Sequence, residues 1–499
     1  MIQTKIHTPN GMLQMHSDKA EKSGRGYVLT GESVSIEHEY GSTLFFRNGW
    51  NSWSPTGWRS LDDEPLRIYN NPERLLTADD AATDDAERHS GSAVGALDAG
   101  EGSVLLLGAL DLGAPRVSAD ERVLSGEADV PIQWYVAWGP EERVFREYAQ
   151  LVTDRLGRGR NSAGPVWSSW YSFFEAIDEN KINNVLDDLN GYPFEVVQID
   201  DGWERLVGDW VEGDGFPSGL GYMAERVTAA GFRPGLWVAP FICLPGSRVV
   251  AEHPEWLVQR PEGGPLVAGY NWDSHYYALD TTQPPVKRHI TDMFHRFVAA
   301  GFTYFKLDFM YAGALEGSRL VERHRDFVYR DAIELIRAAV GEDSYLLGSG
   351  VPMLQSVGIF DGARVGPDVA PYWDNTERKR DPSGAGALNS LANSAARTWM
   401  RDWFEVDPDV VFFRSRLILL DTAARATLVD LALVTGFKST SDPIAWLDVE
   451  ERRQLHQFLS MTPQVERLSR WVYRIDDREV DFSRYLSGDR RDVESMIVK

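Results

Sequence analysis

Beyond about residue 160 the chain settles into one repeating rhythm, and that rhythm limits the fold more than any other feature of the sequence. A compact apolar run ends in polar or aromatic residues and is followed by a stretch of helical periodicity. Such runs occupy residues 166–174, 196–203, 233–241, 304–311, 345–350 and 363–366, and helical patterns lie between several of them, as at 180–189 and 320–339. Strands alternating with helices predict a parallel sheet. Functional-looking residues recur at the carboxyl end of successive strands, which favours a (β/α)8 TIM barrel over an open sheet. The seventh and eighth strands are placed near 403–407 and 433–440.

The first 140 residues follow a different pattern. Tyr27-Val28-Leu29, Val34-Ser35-Ile36, Thr43-Leu44-Phe45-Phe46, Val104-Leu105-Leu106-Leu107 and Ile132-Gln133-Trp134-Tyr135-Val136 are short apolar or alternating runs broken by Gly, Asp and Pro. That spacing predicts an antiparallel β-sandwich. Residues 140–156 turn helical, with Val144, Phe145, Tyr148 and Leu151 on one face, as in a connecting helix. From about Trp446 the tail offers one helix, N-capped by Asp448, and the strand-like stretch Trp471-Val472-Tyr473-Arg474-Ile475. The expected multidomain organisation is therefore a sandwich over 1–140, a helical linker over 141–160, a catalytic barrel over 161–445 and a short C-terminal helix/strand unit over 446–499. A length of 499 residues suits a barrel of about 250 residues with accessory units.

A formal charge of −24 and a pI near 4.9 argue against nucleic acid and anionic membranes as partners, since both demand basic surface. Neutral sugars are indifferent to that field. The N-terminus Met1-Ile2-Gln3-Thr4-Lys5 leads into polar sequence without a signal-peptide core, and no run of about 18 apolar residues occurs, so a cytoplasmic protein is expected. The single cysteine, Cys243, agrees with a reducing compartment. Nine lysines among 51 basic residues leave 51 − 9 = 42 arginines, and acidic pairs such as Asp79-Asp80 and Asp84-Asp85 recur in loops. That balance fits a salt-adapted organism, and equally a high-GC genome that favours Arg codons.

Two segments carry an aspartate apiece where paired-carboxylate chemistry would want one. In Tyr304-Phe305-Lys306-Leu307-Asp308, the strand period of two puts Lys306 and Asp308 on one face, and a lysine neighbour holds a carboxylate ionised. A structural ion pair would give the same pattern. Asp368 follows the Gly366-Pro367 turn and precedes Pro371-Tyr372-Trp373, where aromatic neighbours could keep it protonated; a loop-capping turn aspartate is the alternative. Arg364, at the end of the preceding strand, suits a substrate hydroxyl or carboxylate. Cleaving a glycosidic bond with retention needs one carboxylate as nucleophile and one carboxylic acid as proton donor, roughly 5 Å apart. Asp308 and Asp368 are the candidates for those roles.

Val197-Gln198-Ile199-Asp200-Asp201-Gly202-Trp203 ends a buried strand in two carboxylates, which can accept from two neighbouring sugar hydroxyls. No convergent His or further Asp stands at ligand spacing, which disfavours a metal. Aromatics punctuate the same loops: Trp167, Trp170 and Tyr171 on the first strand, Trp203 on the second and Trp237 on the third, where sugar C–H faces could stack. Trp50-Asn51-Ser52-Trp53, in the N-terminal domain, reads either as a loop completing a sugar pocket or as interdomain packing.

Together these motifs resemble the α-galactosidases of glycoside hydrolase family 36, in the clan that also holds family 27. Gln198-Ile199-Asp200-Asp201-Gly202-Trp203, Gly235-Leu236-Trp237-Val238-Ala239-Pro240, Lys306-Leu307-Asp308-Phe309 and the stretch from Gly350-Val351-Pro352 to Arg364-Val365-Gly366-Pro367-Asp368 fall in family order. The resemblance implies a retaining exo-α-galactosidase without cofactor, acting on α-galactoside oligosaccharides. Asp308 would be the nucleophile, Asp368 the acid/base, Asp200 and Asp201 the pair holding the 4- and 6-hydroxyls, and Lys306 and Arg364 further hydroxyl ligands. Tyr171, Trp237 and either Trp53 or Trp50 would be pocket walls. Galactosyl transfer of the raffinose-synthase type, or α-N-acetylgalactosaminidase activity, is the alternative. The chain departs from many relatives in carrying Gly348-Ser349-Gly350 where they have a cysteine near the sugar 2-position, which puts Ser349 there. The shorter C-terminal unit leaves homo-oligomeric assembly open.

Overall fold

Buried positions along Gly26–Glu37 change parity partway: Leu29 and Gly31 point inward on one phase, Val34 and Ile36 on the other. The cause is a break in register with the partner strand Val123–Pro140, between Glu127 and Ile132, where a bulge flips the inward face. One continuous strand therefore stands where two short apolar runs predict two. The computed structural model describes residues 2–8, 11–66, 88–159, 161–375 and 381–486, and the acidic pairs Asp79-Asp80 and Asp84-Asp85 lie outside the described residues. Among these, an eleven-stranded antiparallel sheet forms the N-terminal part, with Val104, Leu105, Leu106 and Leu107 fully buried on a central strand.

Helix Glu141–Leu156 joins this sheet to the rest by burying Val144, Phe145, Tyr148, Ala149 and Val152, while Leu151 sits half-buried at the margin of that stripe. Its aromatic rings bridge both sides. Phe145 meets Phe46 of the sheet at 5.1 Å and Trp399 at 5.2 Å, and Gly108 is pressed so closely by Tyr148 that an added Cβ would lie 2.4 Å from the ring.

A second sheet is wholly parallel. Its eight strands run, side by side, Glu405–Asp407, Gly362–Arg364, Tyr345–Gly348, Tyr304–Leu307, Arg233–Val238, Val196–Ile199, Val166–Ser168 and Ser439–Thr440. Val411, just past the strand Glu405–Asp407, makes a parallel bridge to Thr440 on the opposite edge, so the sheet curls back on itself, consistent with a TIM-like domain. The helices between strands carry local signals. Asp178 caps Glu179–Leu189, Pro284 opens Pro284–Ala300, and Gly301 closes that helix in the left-handed region at φ 109°.

Three boundaries differ from those the pattern predicts. The apolar run 166–174 supports a strand only to Ser168, and Trp170–Phe173 is a helical turn, so Tyr171 is not a strand residue. The helix expected from Leu320 begins at Arg325, with Asp280 capturing the Leu320 N–H at 2.8 Å ahead of it. Residues 433–435 finish helix Thr422–Thr435, which Gly436 ends at φ 87°, leaving only Ser439–Thr440 as the eighth strand.

After Asp448 and Glu451 close a capping box on helix Val449–Ser460, the chain forms three antiparallel strands, Val465–Arg467, Val472–Ile475 and Arg478–Asp481. The outer two are additions to the single stretch predicted there. This tail is pinned by Arg467 and Arg470 on Glu141 and by the Tyr485 ring against Trp373 at 5.3 Å.

Candidate active site

At the end of strand Tyr304–Leu307 the chain delivers Lys306 inward and then Asp308, whose N–H donates to the Val238 carbonyl of the neighbouring strand at 2.9 Å. The next residue, Phe309, takes the left-handed conformation at φ 54° and donates its N–H to Asp308 Oδ1 at 2.9 Å. Trp237 Nε1 donates to Asp308 Oδ2 at 3.0 Å. One donor on each oxygen fixes the carboxylate's plane. Lys306 bonds Asp200 at 2.9 Å and not Asp308. Burial works against the Lys306 charge, and Asp200 and Asp308 more than reverse it, holding its pKa above the ordinary value; Arg364 and Asp368 act on the same ammonium. Asp308, from the end of its strand, and Asp368, from a loop, thus act on one buried cation.

The Asp200 carboxylate is closed off by protein donors: Lys306, Gln198 and Ser168 reach Oδ2, and the Asp201 N–H reaches Oδ1. Asp201, 4% exposed, accepts from Trp272 Nε1 at 2.9 Å on Oδ2. Burial pushes its carboxyl up to about 6.

Arg364 is buried between two carboxylates, reaching Asp368 Oδ1 and Asp409 Oδ2 at 2.6 Å each. Burial opposes its charge, and Asp409 foremost, then Tyr171 and Asp368, raise its pKa well above the usual guanidinium value. Asp368 stands on its loop with a side chain 41% exposed, two residues before Ala370 at φ 54°. Asp409, at φ 82°, also accepts the Val369 N–H at 2.8 Å and the Tyr171 hydroxyl. Left-handed non-glycine residues at Phe309, Ala370 and Asp409 flank the same carboxylates, the kind of strain that gathers at functional sites. The Tyr171 hydroxyl is spent on Asp409.

The two tryptophans of the N-terminal loop separate. Trp53 packs edge-on against Phe309 at 5.3 Å and Tyr311 at 5.8 Å, and touches Gly350, where an added Cβ would lie 3.2 Å from its ring. Trp50 is 2% exposed, with the Arg325 guanidinium 5.6 Å above its ring. Ser349 is buried at the end of strand Tyr345–Gly348, its Oγ without a partner among the described residues.

This loop is stitched to the parallel sheet. Ser52 N–H donates to Val351 O, Met353 N–H to Trp50 O, and the buried Arg397 donates to the carbonyls of Gly49, Asn51, Ser52 and Val365 at 2.8–3.0 Å. Burial pushes the Arg397 guanidinium down, with Arg47 adding to the effect; carbonyl dipoles alone hold it. Arg397→Leu should cost on the order of 4 kcal/mol, about 1 kcal/mol for each of the four hydrogen bonds lost. It should also raise KM as Trp53 loses its mount. Thermal unfolding and initial-rate kinetics on one preparation check both; an unchanged Tm would refute the clamp.

Three residues here were not marked by the sequence patterns. Trp272 arrives on the antiparallel excursion Ile242–Cys243, Val267–Asn271 and Ser274–Ala278, at a turn in which Trp272 and Asp273 have φ of 50° and 52°. An aromatic in a tight turn between Tyr270 and Tyr276 was its available signal. Glu204 follows the named Asp201 in Asp201-Gly202-Trp203-Glu204, and Asp409 lies two residues past the predicted strand 403–407. No helix among the described residues is long and apolar enough to cross a membrane.

Comparison with known proteins places these elements in context. The melibiase family's sequence model matches residues 135–337. TtGalA, an α-galactosidase of Thermus thermophilus solved with p-nitrophenyl α-D-galactopyranoside, is 40% identical, with 97% of this chain and 100% of that one covered and a TM-score of 0.91. AgaA, a family 36 α-galactosidase of Geobacillus stearothermophilus, shares the fold at 14% identity and TM-score 0.60 over 90% of this chain and 67% of its own. By sequence, AgaA is 30% identical over 204 residues, 38% of this chain and 27% of AgaA's length.

Proposed function

Since the chain belongs to the α-galactosidases of glycoside hydrolase family 36, we propose that it is a retaining exo-α-galactosidase that releases terminal α-linked galactose from oligosaccharides. Asp308 attacks the anomeric carbon as the bond to the aglycone oxygen breaks, and Asp368 gives that oxygen its proton. Asp368 then takes a proton from water, which displaces Asp308 and releases galactose in its original configuration. The observation that carries this reading is the pair of held carboxylates: Asp308, fixed in plane by the Trp237 and Phe309 N–H groups, and Asp368, bonded to Arg364 at 2.6 Å, both acting on the Lys306 ammonium.

Asp200 and Asp201 receive the 4- and 6-hydroxyls, Asp201 most directly because the Asp200 oxygens already meet four protein donors. Trp237 and Trp53 wall the sugar, Ser349 stands at its 2-position, Arg364 orients Asp368 by direct contact, and Tyr171 supports that pair through Asp409. The antiparallel sheet is read as a β-sandwich over 1–140, joined through 141–160 to a (β/α)8 barrel over 161–445, with 446–499 as a C-terminal unit. Raffinose and stachyose, co-crystallised with AgaA variants, are the substrate class expected here. The buried thiol of Cys243 suits a reducing cytoplasm.

Turnover of p-nitrophenyl α-galactoside, against the α-glucoside and the α-N-acetylgalactosaminide, tests the assignment. Selective release of galactose, appearing first as the α-anomer by NMR, is expected. A first-formed β-anomer would exclude retention; preference for the N-acetyl sugar, or longer oligosaccharides in place of free galactose from raffinose, would shift the activity to the two alternatives.

A further inference from the structure

The Asp200-Asp201 strand end carries a third carboxyl that the reaction above does not use. After Asp201 the chain turns through Gly202, whose φ of 109° and approach to the Glu175 backbone, 2.6 Å from where a Cβ would stand, admit only glycine. Trp203 is anchored by its Nε1–H on the Trp237 carbonyl at 2.9 Å. Glu204 is thereby returned to Asp201: the Gly202 N–H, next in the chain after Asp201, donates to Glu204 Oε2 at 3.3 Å, which brings the two carboxyl groups together. A hydrogen bond between them needs a proton on one, because two ionised carboxylates have only acceptors.

The charges around the pair favour that state. Asp200 and Glu175 both face Asp201 and add negative potential, while the nearby cation Lys306 is engaged with Asp200. Burial, then the Asp201 charge, raises the Glu204 carboxyl well above its ordinary range. Asp201 also accepts from Trp272, a donor it can use only with an acceptor lone pair turned that way.

We infer that Glu204 is a positioning residue: its protonated carboxyl donates to Asp201 and holds that carboxylate as a pure acceptor for the sugar's hydroxyls. The inference rests on the reading that Asp201 receives galactose. As pH rises through Glu204 ionisation, the donor is lost and a second negative charge appears beside Asp201, so galactose binding weakens toward alkaline pH; it is strongest between that ionisation and about pH 6, where Asp201 itself takes up a proton.

Calorimetric binding of free galactose, neutral and not turned over, tests this from pH 7, where Asp201 is ionised, to pH 10 in the wild type, E204Q and E204A, with near-UV circular dichroism confirming the fold at each pH. Wild-type Kd should rise about tenfold per pH unit once Glu204 is ionised. E204Q, whose amide donates without titrating, should match the wild type at pH 7 and stay flat to pH 10. E204A should bind about five- to tenfold more weakly already at pH 7. Alkaline weakening that persists in E204Q, a wild-type Kd equal at pH 7 and 10, or E204Q as weak as E204A at pH 7 would each overturn the inference. A wild type and E204Q that both fail to bind galactose at pH 7 would overturn the reading of Asp201, and this inference with it.

Discussion

Asp308→Ala should lower kcat on melibiose and on p-nitrophenyl α-galactoside by on the order of 10⁴-fold or more, because the covalent half of the reaction loses its nucleophile. Azide or formate should restore part of the rate, since a small anion fits the vacated space and is held by the same Trp237 N–H that reaches Asp308 Oδ2. The fold should survive. Lys306 keeps its Asp200 partner at 2.9 Å, so no buried cation is orphaned, and the loss is confined to two N–H donors, about 1–3 kcal/mol for each that stays dry. NMR of the azide-rescued product should show the β-configured galactosyl azide. Near-wild-type turnover without added anion would remove Asp308 from the role.

The second large effect depends on the leaving group. Asp368→Ala should lose about 10²- to 10⁴-fold on melibiose or raffinose, whose departing sugar oxygen needs a proton, and far less on dinitrophenyl α-galactoside, whose departing phenolate does not. Arg364 retains Asp409 at 2.6 Å in this variant, so the buried guanidinium still has a counter-charge and Tm should change little. Equal losses on both substrates would mean that Asp368 binds or braces without transferring a proton. The comparison needs only kcat/KM for two substrates on one preparation.

Period-two and period-3.6 patterns made much of this architecture readable in advance, and the reasons for the exceptions are local. Asp448 announces its helix because a cap is a neighbour-to-neighbour interaction. The strand carrying Tyr171 reads too long, because Phe173 and Phe174 are as apolar as Trp167 and only ladder pairing decides where a strand stops. Asp308, Asp368 and Asp201 stand out because each follows a buried strand within a few residues. Their partners do not. Asp409 reaches Arg364 from another strand, 45 residues away (409 − 364), and Trp272 reaches Asp201 across 71 residues. Lys306 shows the limit of same-face reasoning: Asp308 is its sequence neighbour, yet its ammonium lies on Asp200 of the second strand, since inward-pointing side chains of neighbouring strands meet inside a curled sheet.

The Arg397 contacts with Gly49, Asn51 and Ser52 also impose an order on the chain's birth. Ser52 leaves the ribosome 345 residues ahead of Arg397, a lag of some tens of seconds at about 5–20 residues per second. Through that interval the loop bearing Trp53 has no guanidinium to seat it, and its carbonyls remain hydrated. A nascent chain stopped between residues 140 and 397 therefore exposes a finished N-terminal sheet with the Trp53 loop unseated, and the parallel-sheet domain expressed alone would lack the ring that packs on Gly350 and Phe309. Catalytic competence arrives late in synthesis, when the last third of the polypeptide closes on the first tenth.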